Sequence, residues 1–239
     1  MASPLGAGAF SAWLRQTRRV QALRVVGTGG AEVPCGTCSG CCRSSYFIHI
    51  RPEETEALRR IPKALVFPAP GAPKGHVLMG YNERGECPMW RGGACTIYEH
   101  RPQTCRDYDC RVFAATGMTA DDDGLRGLIE EQARRWRFEV NGAKEQAELD
   151  AVRAAARFLE ERRALFPEGR LPRNPPQLAA LAIEVYDVFL ALGRQTGKRP
   201  PDAEIAKAVL AAMRGGDGEA NGNDKPAPKP RSKRGREQR

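Results

Sequence analysis

The chain has 239 residues, 41% of them hydrophobic and 28% charged, with a formal net charge of +9. That length suits one moderate domain, or a small one with a helical extension, and the apolar fraction allows a core but not a generous one. The charge sits at the two ends: residues 1–30 hold four arginines and no acid, and residues 215–239 hold seven lysines and arginines against four acids, which leaves +2 for the stretch between.

A nucleic-acid footprint needs a basic face on the folded part, so this distribution argues against a nucleic-acid partner. No apolar run approaches the roughly 18 residues that span a bilayer, so no membrane partner is expected. Arginines interrupt the apolar residues of the N-terminus, so no signal-peptide core forms and a cytoplasmic location is expected. An Arg-rich, acid-free start also suits an organelle transit peptide.

Residues 1–34 read as a leader, partly helical or disordered, with a short helix over "SAWLRQTRRVQAL" and a loop over "GTGGAEVP". Gly27-Thr28-Gly29-Gly30 is a fragment of a dinucleotide loop. It lacks the third glycine and runs into cysteines, not a helix, so no nucleotide cofactor is expected. Residues 35–115 hold all eight cysteines. Within them "SYFIHI" (45–50), "HVLMGY" (76–81) and "ACTIY" (94–98) predict short strands. Pro52 opens a short helix over "PEETEALRR". Pro62, Pro68, Pro70 and Pro73 make 61–75 an extended loop, and "NERGE" is a turn. Elements this short need something besides their own core.

Residues 116–214 read as a helical extension. Leu149, Val152, Ala156 and Leu159 follow helix spacing, as do Leu178, Leu181, Val185 and Val188, with a weaker stripe at Ile205, Val209 and Ala212. Thr119 with Asp122 suggests a capping box ahead of Leu125, Leu128 and Ile129. Residues 215–239 have almost no apolar side chains and predict a disordered basic tail. The fold class expected is α+β: a small metal-stabilised cysteine-rich module with short strands, then a helical C-terminal extension, with disordered ends.

The stretch "CGTCSGCC" places Cys35, Cys38, Cys41 and Cys42 in eight residues; Cys87, Cys95, Cys105 and Cys110 follow. A disulfide framework would need an oxidising compartment, for which no signal is present. A thioredoxin-like redox pair would need a βαβ context. Metal fits best. Zinc sites use C-x2-C pairs, and iron–sulfur sites use C-x2-C-x2-C triads with a distant Cys-Pro, here Cys87-Pro88. Cys35, Cys38, Cys41 and Cys87 make one plausible set and Cys42, Cys95, Cys105 and Cys110 another. Adjacent side chains usually point apart, so Cys41 and Cys42 should face different sites, or one of them the core. Arg43, Arg106 and Arg111 each follow a cysteine and either offset thiolate charge or are solvated. His49 and His100 could replace a ligand, but a strand or surface role suits them better. Glu99-His100-Arg101-Pro102 reads as a tight loop aiming Cys95 and Cys105, with Arg101 paired to an acid.

"CGTCSGCC", Cys87-Pro88 and "GGACTIYEHRPQTCRDYDC" together resemble the bacterial CxxCxxCC cysteine-cluster family, the YkgJ-like zinc- or iron-chelating domain, over residues 35–110. The resemblance implies chelation of zinc or an iron–sulfur cluster, of 4Fe–4S type, by all eight cysteines in a structural, redox-sensing or metal-carrying role. A related cluster occurs in flagellin lysine methylases beside an iron–sulfur centre, which makes an enzyme of that type the alternative. The resemblance does not reach residues 119–239, so no methylase activity transfers and no catalytic residue is assigned.

Overall fold

The computed structural model describes residues 3–23, 30, 31, 33–120 and 126–216. The expected tail, apart from its first two residues, lies outside these, as do Asp122 and Leu125 of the expected helix cap.

The chain opens with β1 (Leu5–Ala9), which runs directly into α1 (Phe10–Leu23). A 3₁₀ turn at Gly40–Arg43 leads to β2 (Ile48–Ile50), α2 (Thr55–Arg60), a second turn at Lys63–Leu65, β3 (Val66–Pro68) and β4 (Val77–Met79). Then come β5 (Trp90–Arg91), β6 (Ala94–Cys95), a turn at Tyr98–His100, α3 (Gln103–Asp107) and α4 (Arg111–Thr116). The remainder is α5 (Gly127–Ala133), β7 (Trp136–Glu139), α6 (Ala143–Glu161), a turn at Arg163–Leu165, α7 (Pro175–Gly193) and α8 (Asp202–Gly216). The mixture of helix and strand is α+β, as the sequence predicts.

The strands form three small sheets. β2, β4 and β3 are antiparallel, with Met79 of β4 between Ile48 and Val66. β5 and β6 are a hairpin in which Trp90 faces Cys95. β1 pairs parallel with β7, Leu5 against Trp136 and Gly8 against Phe138, with a register shift between Gly6 and Gly8. Parallel strands require a long crossover, and here the crossover is everything from α1 to α5.

There are two cores. The smaller joins Ile48, Ile50, Ala57, Ile61, Met79, Met89 and Ile97, with Cys87, Cys95 and Cys105 packed against it. The larger is built on the antiparallel α6–α7 pair and also takes in α1, α4, β7 and α8. The expected stripes hold: Leu149, Val152, Ala156 and Leu159 of α6 are buried, as are Leu178, Leu181 and Val185 of α7 and Ile205 and Val209 of α8.

Several local expectations change. The opening segment is part of the larger core: Phe10, Trp13, Leu14 and Thr17, at i, i+3, i+4 and i+7, are all buried, and Arg15 and Arg19 occupy the exposed face. α7 corrects the expectation about apolar length. It has 19 residues with a mean hydropathy of 1.4, enough by length and composition to cross a membrane. A core helix meets the same criterion, and α7 buries Ala179, Ala182 and Ile183 against its neighbours. The helix expected from Pro52 starts only at Thr55, because Arg51 N–H donates to Glu54 Oε2 at 2.7 Å and Glu54 N–H to the Arg51 carbonyl at 3.1 Å, which closes a turn first. The "ACTIY" strand stops at Cys95 because Thr96 turns to bond Met89 O through both its N–H (2.9 Å) and its hydroxyl (3.0 Å). The proline loop contains a 3₁₀ turn and the edge strand β3.

Candidate metal centre

The cysteine loop is shaped by two glycines. Gly36 sits at φ 56°, in the left-handed region, and allows Cys38 N–H to reach the Cys35 carbonyl at 3.0 Å. Gly40 is buried; a Cβ there would stand 3.3 Å from Ile129 Cγ1 and Leu128 O, so only glycine lets the loop lie this close to α5. The Gly40 N–H also points at Cys38 Sγ, 3.4 Å away. Cys41 and Cys42 follow in the 3₁₀ turn, which Ser44 closes by donating its hydroxyl to the Gly40 carbonyl at 2.6 Å.

The distant cysteines come to this loop from separate elements. Cys87 N–H donates to the Cys42 carbonyl at 2.7 Å, and Cys95 lies on β6. Cys105 lies in α3, its N–H on the Pro102 carbonyl at 2.9 Å. Cys110 caps α4, is buried, and its Sγ accepts the Trp136 indole N–H at 3.2 Å. All eight are free thiols; Cys41 reaches the surface and six are half-buried.

The thiols influence one another in two groups. Burial, then the charges of Cys87 and Cys95 and more weakly Cys38 and Cys35, push Cys42 up to about 12. Burial and then Cys87, Cys42, Cys41 and Cys95 hold Cys105 well above the usual thiol range. Cys87 is raised by burial and Cys95, against backbone N–H groups of Met89 and Trp90 that lower it. On the other side, desolvation and then Cys42, Cys35 and Cys38 push Cys41 up to about 12. Cys35 is raised by burial, then by Cys38 and Asp109. Cys110 is pushed up to about 12 by burial, against the Trp136 N–H, with Asp109, Cys41 and Cys35 adding to the rise.

Cys42, Cys87, Cys95 and Cys105 thus lie within reach of one another's charge, as do Cys35, Cys38, Cys41 and Cys110, and Cys41 and Cys42 couple the two sets. Spacing alone groups Cys87 with Cys35, Cys38 and Cys41; in the fold Cys87 is tied to Cys42 through the backbone, and Cys110 is anchored to Trp136 on the side of the larger core.

Of the three arginines that follow cysteines, Arg43 pairs with Glu86 at 3.3 Å and Arg111 forks onto Asp109. Arg106 donates to the carbonyls of Arg101 and Glu99 at 3.1 and 3.0 Å. Arg101 makes no ion pair with an acid among the described residues; it donates to the Tyr98 carbonyl at 2.8 Å and lies 4.0 Å from the Tyr98 ring centroid. Of the histidines expected to be bystanders, His49 bonds His76, Nε2 to Nδ1 at 2.9 Å, the rings stacked at 20°. Sequence reasoning missed Asp109 and Trp136. One of two acids between Cys105 and Cys110, and a tryptophan 26 residues beyond Cys110, carry no local pattern.

Among the described residues no three His, Cys, Asp or Glu side chains already stand together around one point, so loading would draw the thiols inward. The donor set itself suits the group: thiols only, soft ligands of the kind that zinc and iron–sulfur clusters take. Residues 34–125 match the family model described as "CxxCxxCC: Putative zinc- or iron-chelating domain". No curated protein and no solved structure matches the chain.

Proposed function

We propose that the CxxCxxCC domain at residues 34–125 is a thiolate metal centre with two adjacent sites: Cys35, Cys38, Cys41 and Cys110 in one, Cys42, Cys87, Cys95 and Cys105 in the other. This reading is supported by eight unpaired thiols, brought in by five separate segments, whose charges raise one another. Thiols packed this closely oppose one another's ionisation, and a bound cation relieves that opposition. The Cys-x2-Cys-x2-Cys triad and Cys87-Pro88 favour iron–sulfur of 4Fe–4S type over zinc.

When bound, such a group supplies a crosslink between short elements and, as a cluster, a one-electron couple. The chain's own residues orient the thiolates. Trp136 N–H would hold Cys110 and Gly40 N–H would hold Cys38, and N–H donors to cluster sulfur are one lever that sets reduction potential. Structural zinc in small peptides contributes about 10–16 kcal/mol, of the same order as the whole core of seven buried side chains around it. The role that follows is to hold the module folded, with a redox state as its signal.

The test is metal analysis with absorbance on anaerobically purified full-length protein. Broad absorption near 400 nm with iron and sulfide is expected, or colourless protein with stoichiometric zinc in the zinc form. C41S and C42S should each remove about half of the bound metal. Metal-free wild-type protein that unfolds with undiminished cooperativity sinks the reading. Complete metal loss in both variants replaces two sites by one.

A further inference from the structure

We infer that the chain carries an oxyanion site, for a phosphate-bearing small molecule, in the open cavity between β1 and the turn at Tyr98–His100. The cavity is about 840 Å³, within the range of small-molecule sites. One wall is the outward face of β1. Gly6 and Gly8 are exposed while Ala7 between them is buried, and among the described residues nothing lies within 4 Å of where a Cβ would stand on either glycine. The ladder to β7 slips between them. Bare backbone at a bulge is where a ligand can approach the main chain closely.

The facing wall is cationic. Arg101 and Arg106 both line the cavity, and neither pairs with a carboxylate among the described residues. Carbonyl oxygens of Tyr98, Arg101 and Glu99 fix both guanidiniums in place without cancelling their charge. This sets them apart from Arg18, Arg60 and Arg162, which lie against Asp187, Glu56 and Asp202. Each guanidinium has five donors, and Arg101 spends one on these carbonyls and Arg106 two, so both retain donors for a phosphate. A planar fork matched to phosphate oxygens, opposite open backbone, is an anion cradle. The site needs no bound metal, but Pro34 puts it beside the cysteine loop.

The competing role for the two cations is to offset thiolate charge, and the experiment separates the two. Pyrophosphate is titrated calorimetrically into the full-length protein as isolated, at low salt, with R101Q, R106Q and G6V alongside and acetate as a comparator. Saturable binding at one equivalent is expected, weakened about tenfold by either arginine variant. It should weaken with rising ionic strength and be much poorer for acetate. G6V fills the cavity from the strand side and leaves both arginines intact, so it should also block binding while metal content stays at the wild-type level. The proposal is overturned if millimolar pyrophosphate gives no saturable heat. It is equally overturned if folded R101Q, R106Q and G6V bind as the wild type does, or if the arginine variants lose metal but keep pyrophosphate affinity.

Discussion

Replacing Asp109 with alanine should destabilise the protein by about 3–5 kcal/mol, the usual consequence of orphaning one member of a buried ion pair. Asp109 is 7% exposed and lies between two elements far apart in sequence. Its Oδ2 accepts the Trp13 indole N–H from α1 at 2.9 Å and the Arg111 Nη2 from α4 at 2.8 Å, while Oδ1 accepts the Arg111 Nε and backbone N–H, each at 2.9 Å. The Arg111 side chain is only 11% exposed, so alanine at 109 takes the carboxylate away from a desolvated guanidinium and the acceptor away from the Trp13 indole N–H. Asparagine keeps one acceptor and should lose roughly half as much. D109A/R111A removes both charges, and its loss should fall short of the sum of the two singles by about 2 kcal/mol. Urea unfolding followed by tryptophan fluorescence, with metal content matched across variants, gives these values. D109A within about 0.5 kcal/mol of wild type, or strict additivity in the double variant, would refute the argument.

Ile183, fully buried in α7, should lose about 2–5 kcal/mol on replacement by alanine, measured in the same unfolding assay; a small loss would mean that the α6–α7 seam collapses around the gap. The His49 ring titrates below its ordinary 6.5 because burial, then the His76 and Arg51 charges, disfavour its protonated form. The unfolded chain therefore binds this proton more readily, so the contribution is complete above pH 6.5 and falls away as pH drops through and below 6.5. Thermal midpoints between pH 7.5 and 5.5 should fall for the wild type and fall less for H49N; parallel curves would discard the assignment.

Much of the site was legible in the sequence, because thiol identity and short spacing carry the signal. The two C-x2-C steps and the glycines that bend the loop follow from local geometry. So do the α6 and α7 stripes, which repeat over several turns. What escaped was decided by tertiary contact. Phe10, Trp13, Leu14 and Thr17 form a helical stripe as regular as that of α6, but the arginines between them make the segment look like a leader until its apolar face meets α6 and α7. The backbone bond from Cys87 to Cys42 and the indole bond from Trp136 to Cys110 both join residues distant in sequence, which local spacing does not carry. Arg101 was expected to find an acid and instead stacks on Tyr98, three residues away.

The parallel pairing of Leu5 with Trp136 also has a temporal side. β1 and α1 are synthesised well before the strand and helices that receive them. At about 5–20 residues per second, roughly 7–25 s pass between the two strands. During that interval all eight thiols have been made, while the indole that bonds Cys110 and the α5 turn behind Gly40 have not. The order of synthesis thus leaves Cys110 and the cysteine loop without these partners until the chain beyond residue 126 is made.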